Sequence, residues 1–235
     1  MGVTSDSSMV VVTAITKGYD ALKDPRAKTP GCRYVCVTDN PLLKSRIWET
    51  VRFPKEACDL EPVRKARYVK THLFSMFPEY KIRFWIDGTM AITDNLRTLV
   101  SETASPGKYL YAMMHYGWDD IFMEAKEIRR VRPHRTAGLD EQLKRYRAAG
   151  MSEHHGMMAE TGIRYEIDSP YVTEFMKLWW HEIERGCTRD QISFPYVMWR
   201  LDPRQAGVFW LPKRMYRGSR WFKIEIPDTH RKLKA

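Results

Sequence analysis

The run Met9-Val10-Val11-Val12-Thr13-Ala14-Ile15 constrains the fold more than any other feature of the chain. It is almost wholly apolar, rich in β-branched residues and no longer than a strand. A run that does not alternate must be covered on both faces, as in a parallel sheet packed between helices. Arg33-Tyr34-Val35-Cys36-Val37-Thr38 reads as a second strand, stopped by the turn chemistry of Asp39-Asn40-Pro41. Phe84-Trp85-Ile86 reads as a third, ending abruptly in Asp87-Gly88-Thr89. Tyr109 to Met114 reads as a fourth, with His115 at its end. Strands that begin early and mix with helical segments argue an α/β fold. At 235 residues the chain is long enough for one domain with a sizeable core. The pattern places that domain at 9–212, after a loose N-terminus of residues 1–8 and before a strongly basic tail, 213–235.

A helix is expected from Pro62 to about Phe77, since Pro suits a first turn. Ala66, Val69, Leu73, Met76 and Phe77 form its apolar stripe. At ~100° per residue, Arg64 lies opposite that stripe, Arg67 at its flank, and Lys70 within roughly 60° of its centre. A lysine leaning toward the buried side needs a partner or must snorkel outward. Residues 119–131, carrying Glu124, and 139–149 also read as helical, with Gly150 as C-cap. Ser169-Pro170 opens a helix whose stripe is Val172, Phe175, Met176, Trp179 and Ile183, and Gly186 ends it. Arg189-Asp190-Gln191 leads into another helix, expected to be interrupted at Pro195.

The net charge of +10 would attract anions such as nucleotide diphosphates, nucleic acid or an anionic membrane surface. No GxGxxG and no GxxxxGK[ST] follows the first strand, which argues against a dinucleotide site or a P-loop. The four cysteines form no CxxC unit and read as buried free thiols of a reducing compartment. Cys32 and Cys36, four apart on a strand, share one face. Met1-Gly2-Val3-Thr4-Ser5-Asp6 has no basic or apolar leader character. The resulting expectation is a cytoplasmic protein, with the tail able to touch an anionic membrane peripherally.

In open α/β sheets, ligands bind outside the carboxyl ends of the strands. Asp87 at such an end is a candidate ligand for Mn²⁺ or Mg²⁺, which need one or two carboxylates when substrate phosphates complete the shell. Thr89 offers only a hydroxyl, and His115 is the candidate second ligand. Asp190 has two readings: a helix N-cap silent in catalysis, or a site residue. Glu124 and Glu160 are acids without a fixed role, and the small and apolar neighbours of Glu160 suggest burial or a pocket.

The segments Thr13-Ala14-Ile15 to Gly18-Tyr19-Asp20, Cys36-Val37-Thr38-Asp39-Asn40, Arg64-Lys65-Ala66-Arg67-Tyr68-Val69-Lys70, Trp85-Ile86-Asp87-Gly88 and Arg189-Asp190-Gln191-Ile192-Ser193-Phe194 occur in this order. In this the chain resembles the glycosyltransferase-like family of plants and bacteria, formerly a domain of unknown function, over residues 9–200. The resemblance implies a GT-A fold: a Rossmann-related, mixed, mainly parallel sheet flanked by helices in a single domain. It implies a nucleotide-diphosphate-sugar donor and a hexosyltransferase-like activity toward a glycan or lipid-linked acceptor. Asp87 stands where GT-A enzymes carry the first acid of Asp-x-Asp, and Thr89 replaces the second. On this reading Thr13, Tyr19 and Asp39 lie under the nucleotide, and Arg64, Arg67 and Lys70 hold the diphosphate. Asp87 and His115 hold the metal, and Asp190 and Gln191 face the sugar or acceptor as catalytic residues.

Two other readings remain open at this point. A nucleotidyltransferase also needs a metal and phosphate-binding cations, but would carry a Gly-rich phosphate loop near its N-terminus. A nucleic-acid-binding module is motivated by the charge alone and predicts steep salt dependence. The transferase reading expects no nucleic-acid partner.

Overall fold

In the computed structural model, residues 7–152, 158–212 and 215–225 are described. In chain order the elements are β1 (Met9–Ile15), β2 (Cys32–Thr38), β3 (Glu49–Val51), α1 (Pro62–Thr71), α2 (Leu73–Met76), β4 (Ile82–Ile86), β5 (Met90–Ile92) and α3 (Leu96–Thr103). Then follow β6 (Leu110–Met114), α4 (Ile121–Val131), α5 (Leu139–Ala148), β7 (Ala159–Ile167), α6 (Pro170–Glu184), α7 (Asp190–Leu201), β8 (Val208–Leu211), α8 (Met215–Gly218) and β9 (Phe222–Ile224). Seven strands form one sheet in the order β3-β2-β1-β4-β7-β6-β8, and β5 pairs with β9 in a small second sheet.

β1 lies inside the sheet, flanked on both sides, because it is apolar on both faces. It pairs in parallel with β2, Met9 opposite Cys32, and with β4, Met9 opposite Ile82. β7 runs antiparallel between β4 and β6. The sheet is therefore mixed and mainly parallel, flanked by helices. Val10, Val12, Ala14, Val35, Val37 and Trp85 pack under Val69 and Leu73 of the α1–α2 segment on one face. Met9, Val11, Ile15, Phe84 and Ile86 pack with Leu96 and Leu99 of α3 on the other. The α6 stripe of Val172, Phe175, Met176, Trp179 and Ile183 packs with Phe194, Val197 and Met198 of α7 over Leu110 and Ala112.

Three expectations are corrected by local chemistry. The helix from Pro62 breaks at His72, which has φ −114°. There Thr71 Oγ1 donates to the Arg67 carbonyl at 3.0 Å and the His72 ring meets the Tyr68 carbonyl at 2.8 Å. Those side chains compete for the carbonyls that would extend the helix. Conversely, α7 continues through Pro195. A proline inside a helix costs about 3 kcal/mol, which burial of Ile192, Phe194, Val197 and Met198 outweighs at roughly 1.5–3 kcal/mol per large side chain. Finally, the domain runs past residue 212. Met215, Trp221 and Phe222 are buried in the main core, and β9 pairs with β5. Residues 226–235, which carry the end of the expected basic tail, lie outside the described residues. Of the expected loose N-terminus, residues 1–6 also lie outside them, while Ser8 Oγ donates to the Glu79 carbonyl at 3.2 Å.

Candidate active site

β1, β2 and β4 are parallel, so their carboxyl ends share one edge of the sheet. The turn after β1, the acid after β4 and the start of α7 meet there. Thr16 to Tyr19 form a tight turn, Tyr19 N donating to Thr16 O at 2.9 Å. Lys17 and Gly18 both have positive φ, at 49° and 64°, a conformation that suits glycine. Asp39, at the end of β2, accepts from Lys17 N at 2.8 Å and braces that turn. The turn carries Asp20 onto Gly88: a Cβ at Gly88 would sit 2.8 Å from Asp20 Oδ2. The residue after Asp87 must therefore be glycine for the two segments to touch.

Asp87 is held from several sides. Its backbone N donates to Gly162 O at 2.8 Å, and Trp85 Nε1 donates to Oδ1 at 2.7 Å. Lys70 Nζ lies 3.4 Å from the same oxygen. The Asp87 side chain keeps 33% exposure. Behind it, Lys70 Nζ is 2.5 Å from Asp190 Oδ2, with side-chain exposures of 0% and 1%. Arg67, one helical turn before Lys70, reaches Asp190 Oδ1 at 3.3 Å, and Thr161 Oγ1 donates to Oδ2 at 2.8 Å. Lys70 lies over the rings of Trp85 and Trp179, at 5.5 and 5.9 Å. Arg164 of β7 donates to the Lys70 carbonyl, one of the orphan acceptors at the end of α1. The Arg164 charge is balanced by buried Glu166, which also binds Arg83 at 2.8 Å.

This packing sets the charge states. Burial alone would raise the Asp190 carboxyl; Arg67 and Lys70 outweigh it and hold the group well below the usual carboxylate range. Burial lowers the Lys70 ammonium from its ordinary value, against Asp190 and Asp87.

A second group of polar side chains adjoins the first. Gly162 has no Cβ, and one built there would lie 3.3 Å from Asp87 Oδ2 and 3.7 Å from Glu160 Oε1. Glu160 is pushed up to about 7, chiefly by burial and with Asp87 adding to it. Its other oxygen is 3.9 Å from His115 Nε2, which is 3.8 Å from Glu124. Glu124 in turn accepts from Arg189 Nε at 2.8 Å and Trp118 Nε1 at 2.9 Å. Gln191 Nε2 donates to the Ala159 carbonyl at 3.2 Å. Among the described residues, Thr13 Oγ1, Arg67 Nε and Gln191 Oε1 are buried without a hydrogen-bond partner. Buried polar atoms are normally paired, so Gln191 Oε1, beside the Ala159 end of β7, has acceptor capacity left for a ligand. Surface depressions of about 400 Å³ beside residues 28–34 and about 660 Å³ beside residues 168–177 lie at the opposite edge of the sheet.

A family model described as TOD1/MUCI70, glycosyltransferase-like domain, matches residues 3–218. The chain belongs to this family. The probable hexosyltransferase MUCI70 of Arabidopsis thaliana is 24% identical over 216 residues, covering 80% of this chain and 37% of that protein. Among solved structures, the apo WbbM bifunctional glycosyltransferase matches 90% of this chain and 40% of its own, at TM-score 0.55 and 15% identity. Mouse xyloside xylosyltransferase 1, also apo, matches 86% of this chain and 84% of its own at TM-score 0.49 and 12% identity. The chain thus spans well under half the length of the plant relative and of WbbM. The GT-A-like expectation of a mixed, mainly parallel sheet in a single domain agrees with the observed fold.

Set against the family-based expectations, Arg67, Lys70, Asp87, Asp190 and Gln191 converge. Thr13 lies buried on β1, and Asp39 supports the first turn. Tyr19 is 45% exposed at the rim, where its hydroxyl accepts from Arg135 at 3.4 Å. Arg64 is elsewhere: its guanidinium donates to the Gly186 carbonyl at 2.9 Å, closing the end of α6. Asp190 does not cap α7. The cap position is Arg189, and the Asp190 carboxylate is spent on Lys70, Arg67 and Thr161. His115 is tied to Glu160 and Glu124, and among the described residues no group of three His, Cys, Asp or Glu is placed to hold a metal ion by itself. Thr161 and the two tryptophans around Lys70 were not legible as site residues. The alternation of Ile163, Tyr165 and Ile167 was the available signal for β7, whose register shifts before it so that Ala159 packs with α6 and α7 instead.

Proposed function

We propose that the chain transfers a hexose or related sugar from a nucleotide-diphosphate-sugar to a glycan or lipid-linked acceptor. The observation that carries this is the Asp87–Lys70–Asp190–Arg67 cluster at the carboxyl ends of parallel strands, in a chain of a glycosyltransferase-like family. Asp190 is sealed from solvent, so its part is to position Lys70 and Arg67. Lys70 and Trp85 together fix Asp87, which faces the crevice. Gln191, tied down through Nε2, presents Oε1 toward a sugar hydroxyl.

A divalent cation, Mn²⁺ or Mg²⁺, fits the residues present. Asp87 and Glu160 offer converging carboxylates over a glycine whose side chain would fill the gap, and hard cations accept such a pair when phosphates complete the shell. Bound there, the cation would offset the charge that develops on the leaving diphosphate. Site action at the cytoplasmic face of a membrane, with Arg231, Lys232 and Lys234 against anionic lipid, belongs to the same proposal. Among the described residues, no helix is long and apolar enough to cross a membrane.

The test is a thermal-shift panel of UDP-, GDP- and ADP-sugars with and without Mn²⁺. A ligand at ~100 times its dissociation constant adds about 2.7 kcal/mol, and one base is expected to stand out with metal present. Indifference to every nucleotide sugar, with and without metal, would remove the reading.

A further inference from the structure

The cations that the sequence offered for a diphosphate are largely spent inside the protein. Lys70 and Arg67 are neutralised by Asp190 and Asp87, and Arg64 closes α6. A second set of cations stands at the rim. Arg132 is the residue that ends α4, and Arg135 lies one short turn further on, its N donating to Arg132 O at 2.9 Å. Arg135 reaches across to the Tyr19 hydroxyl. Tyr19 precedes Asp20, which packs on Gly88, so this bridge spans the approach to Asp87. Arg189, at the start of α7, is held by Glu124 of α4 at 2.8 Å and brings a third guanidinium to the same side.

Among the described residues, the Arg132 and Arg135 guanidinium groups have no carboxylate ion pair, and Arg132 is half-buried. Burial lowers the Arg132 guanidinium from its ordinary value, with Arg189 and Arg135 repelling it and Tyr19 and Glu124 opposing. Gathering three guanidinium groups around the single Glu124 carboxylate is unfavourable unless a further anion joins them. Arginine forks match phosphate oxygens in pairs.

We propose that Arg132 and Arg135, with Tyr19 between them and the strand ends, form the seat that grips the diphosphate of the donor. This rests on the donor reading above and moves the phosphate contacts from α1 to the α4 side of the crevice. Arg67 and Lys70 then act on Asp190 and Asp87, and only indirectly on the phosphates.

Calorimetric titrations of the folded chain with UDP, GDP and ADP, the matching nucleosides and inorganic pyrophosphate test it. Arg132→Gln and Arg135→Gln are expected to weaken the preferred nucleoside diphosphate at least tenfold each and to leave the nucleoside unchanged. Arg130→Gln is the control: that residue is 70% exposed and paired with Glu127, and its removal is expected to change nothing. If pyrophosphate binds in an Arg132-dependent way while no nucleotide does, the seat stands and the donor reading falls. If the diphosphate binds equally well to wild type and Arg132→Gln, or wild type binds neither nucleotide nor pyrophosphate, the seat is wrong.

Discussion

Lys70 Nζ lies 2.5 Å from Asp190 Oδ2, and neither side chain reaches solvent. The pair joins the last turn of α1 to the first turn of α7. It also leaves Lys70 within reach of Asp87, so a buried contact orients a carboxylate that is open to ligand. Breaking a buried pair costs more than the pair contributes, because the surviving charge is stranded.

The Asp190 contact therefore carries a stability prediction. If Asp190 were a surface cap, Asn would serve nearly as well. As a buried counter-ion it cannot be replaced by a neutral amide without stranding Lys70 and Arg67. Asp190→Asn is expected to lose about 3–5 kcal/mol of stability, on the order of 10 °C in melting temperature for a chain of this size. The sign with pH follows from its lowered carboxyl. The contribution is present above the ordinary carboxylate value near 4 and fades as pH falls below it. Denaturant melts at pH 7 and pH 3.5 check this: the gap between wild type and Asp190→Asn narrows in acid. Equal stability of the two at pH 7 would return Asp190 to the capping role.

Asp87 separates the site from the scaffold. Asp87→Asn keeps an oxygen for Trp85 Nε1 but removes the charge that faces the crevice. Donor binding that depends on Mn²⁺ is expected to disappear, and turnover to drop by about 10²-fold or more, as for loss of one transition-state contact. Nucleotide-sugar hydrolysis gives the readout without an acceptor. Unchanged metal dependence in this variant would take Asp87 out of the metal site.

Much of the scaffold was legible because its signals are local. The unbroken apolar run of β1 begins and ends where the pattern put it, at Met9 and Ile15. The lean of Lys70 toward the apolar stripe of its helix anticipated its burial, though the partner was 120 residues away in sequence. What was hidden depends on long-range pairing. Arg164 and Glu166 put charge on one face of β7, which on its own reads as a solvated face. In the fold that face is covered, and Arg83 and the Lys70 carbonyl supply the partners. Arg64, by contrast, was expected on the diphosphate from the family resemblance, but the open carbonyls at the end of α6 took it. No single-residue signal announces an acceptor carbonyl contributed by another helix.

The cysteines give a prediction about the scaffold. The sequence suggested buried thiols throughout, but Cys58 is exposed, Cys32 half-buried, and Cys36 and Cys187 buried. Burial pushes the Cys36 thiol up to about 12 and the Cys187 thiol up to about 11. Raised values leave both protonated at pH 8, and the thiolate is the reactive form. A maleimide or disulfide reagent is expected to modify Cys58 quickly and Cys36 and Cys187 only on unfolding. Peptide mapping by mass spectrometry after brief labelling reads this directly. Rapid native-state labelling of Cys36 would contradict the placement of β2 beside β1.

Gly162 tests whether the gap between Asp87 and Glu160 is functional. Its φ lies outside the left-handed region, so alanine meets no backbone strain there. The added Cβ would lie 3.3 Å from Asp87 Oδ2. That is close enough to turn the carboxylate by a few tenths of an ångström, because Trp85 and Lys70 hold Oδ1 and leave the rotation to Oδ2. It would also occupy the space that both carboxylates face. Gly162→Ala is therefore expected to melt within about 1 kcal/mol of wild type, as a tolerated small substitution. It is expected to bind a nucleoside diphosphate without metal normally and to lose the Mn²⁺ enhancement. Apparent metal affinity, measured by titrating Mn²⁺ at saturating nucleotide, is the deciding quantity. A variant that keeps wild-type Mn²⁺ affinity would show that the cation, if one binds, sits away from the Asp87–Glu160 gap, and the metal assignment would have to move with it.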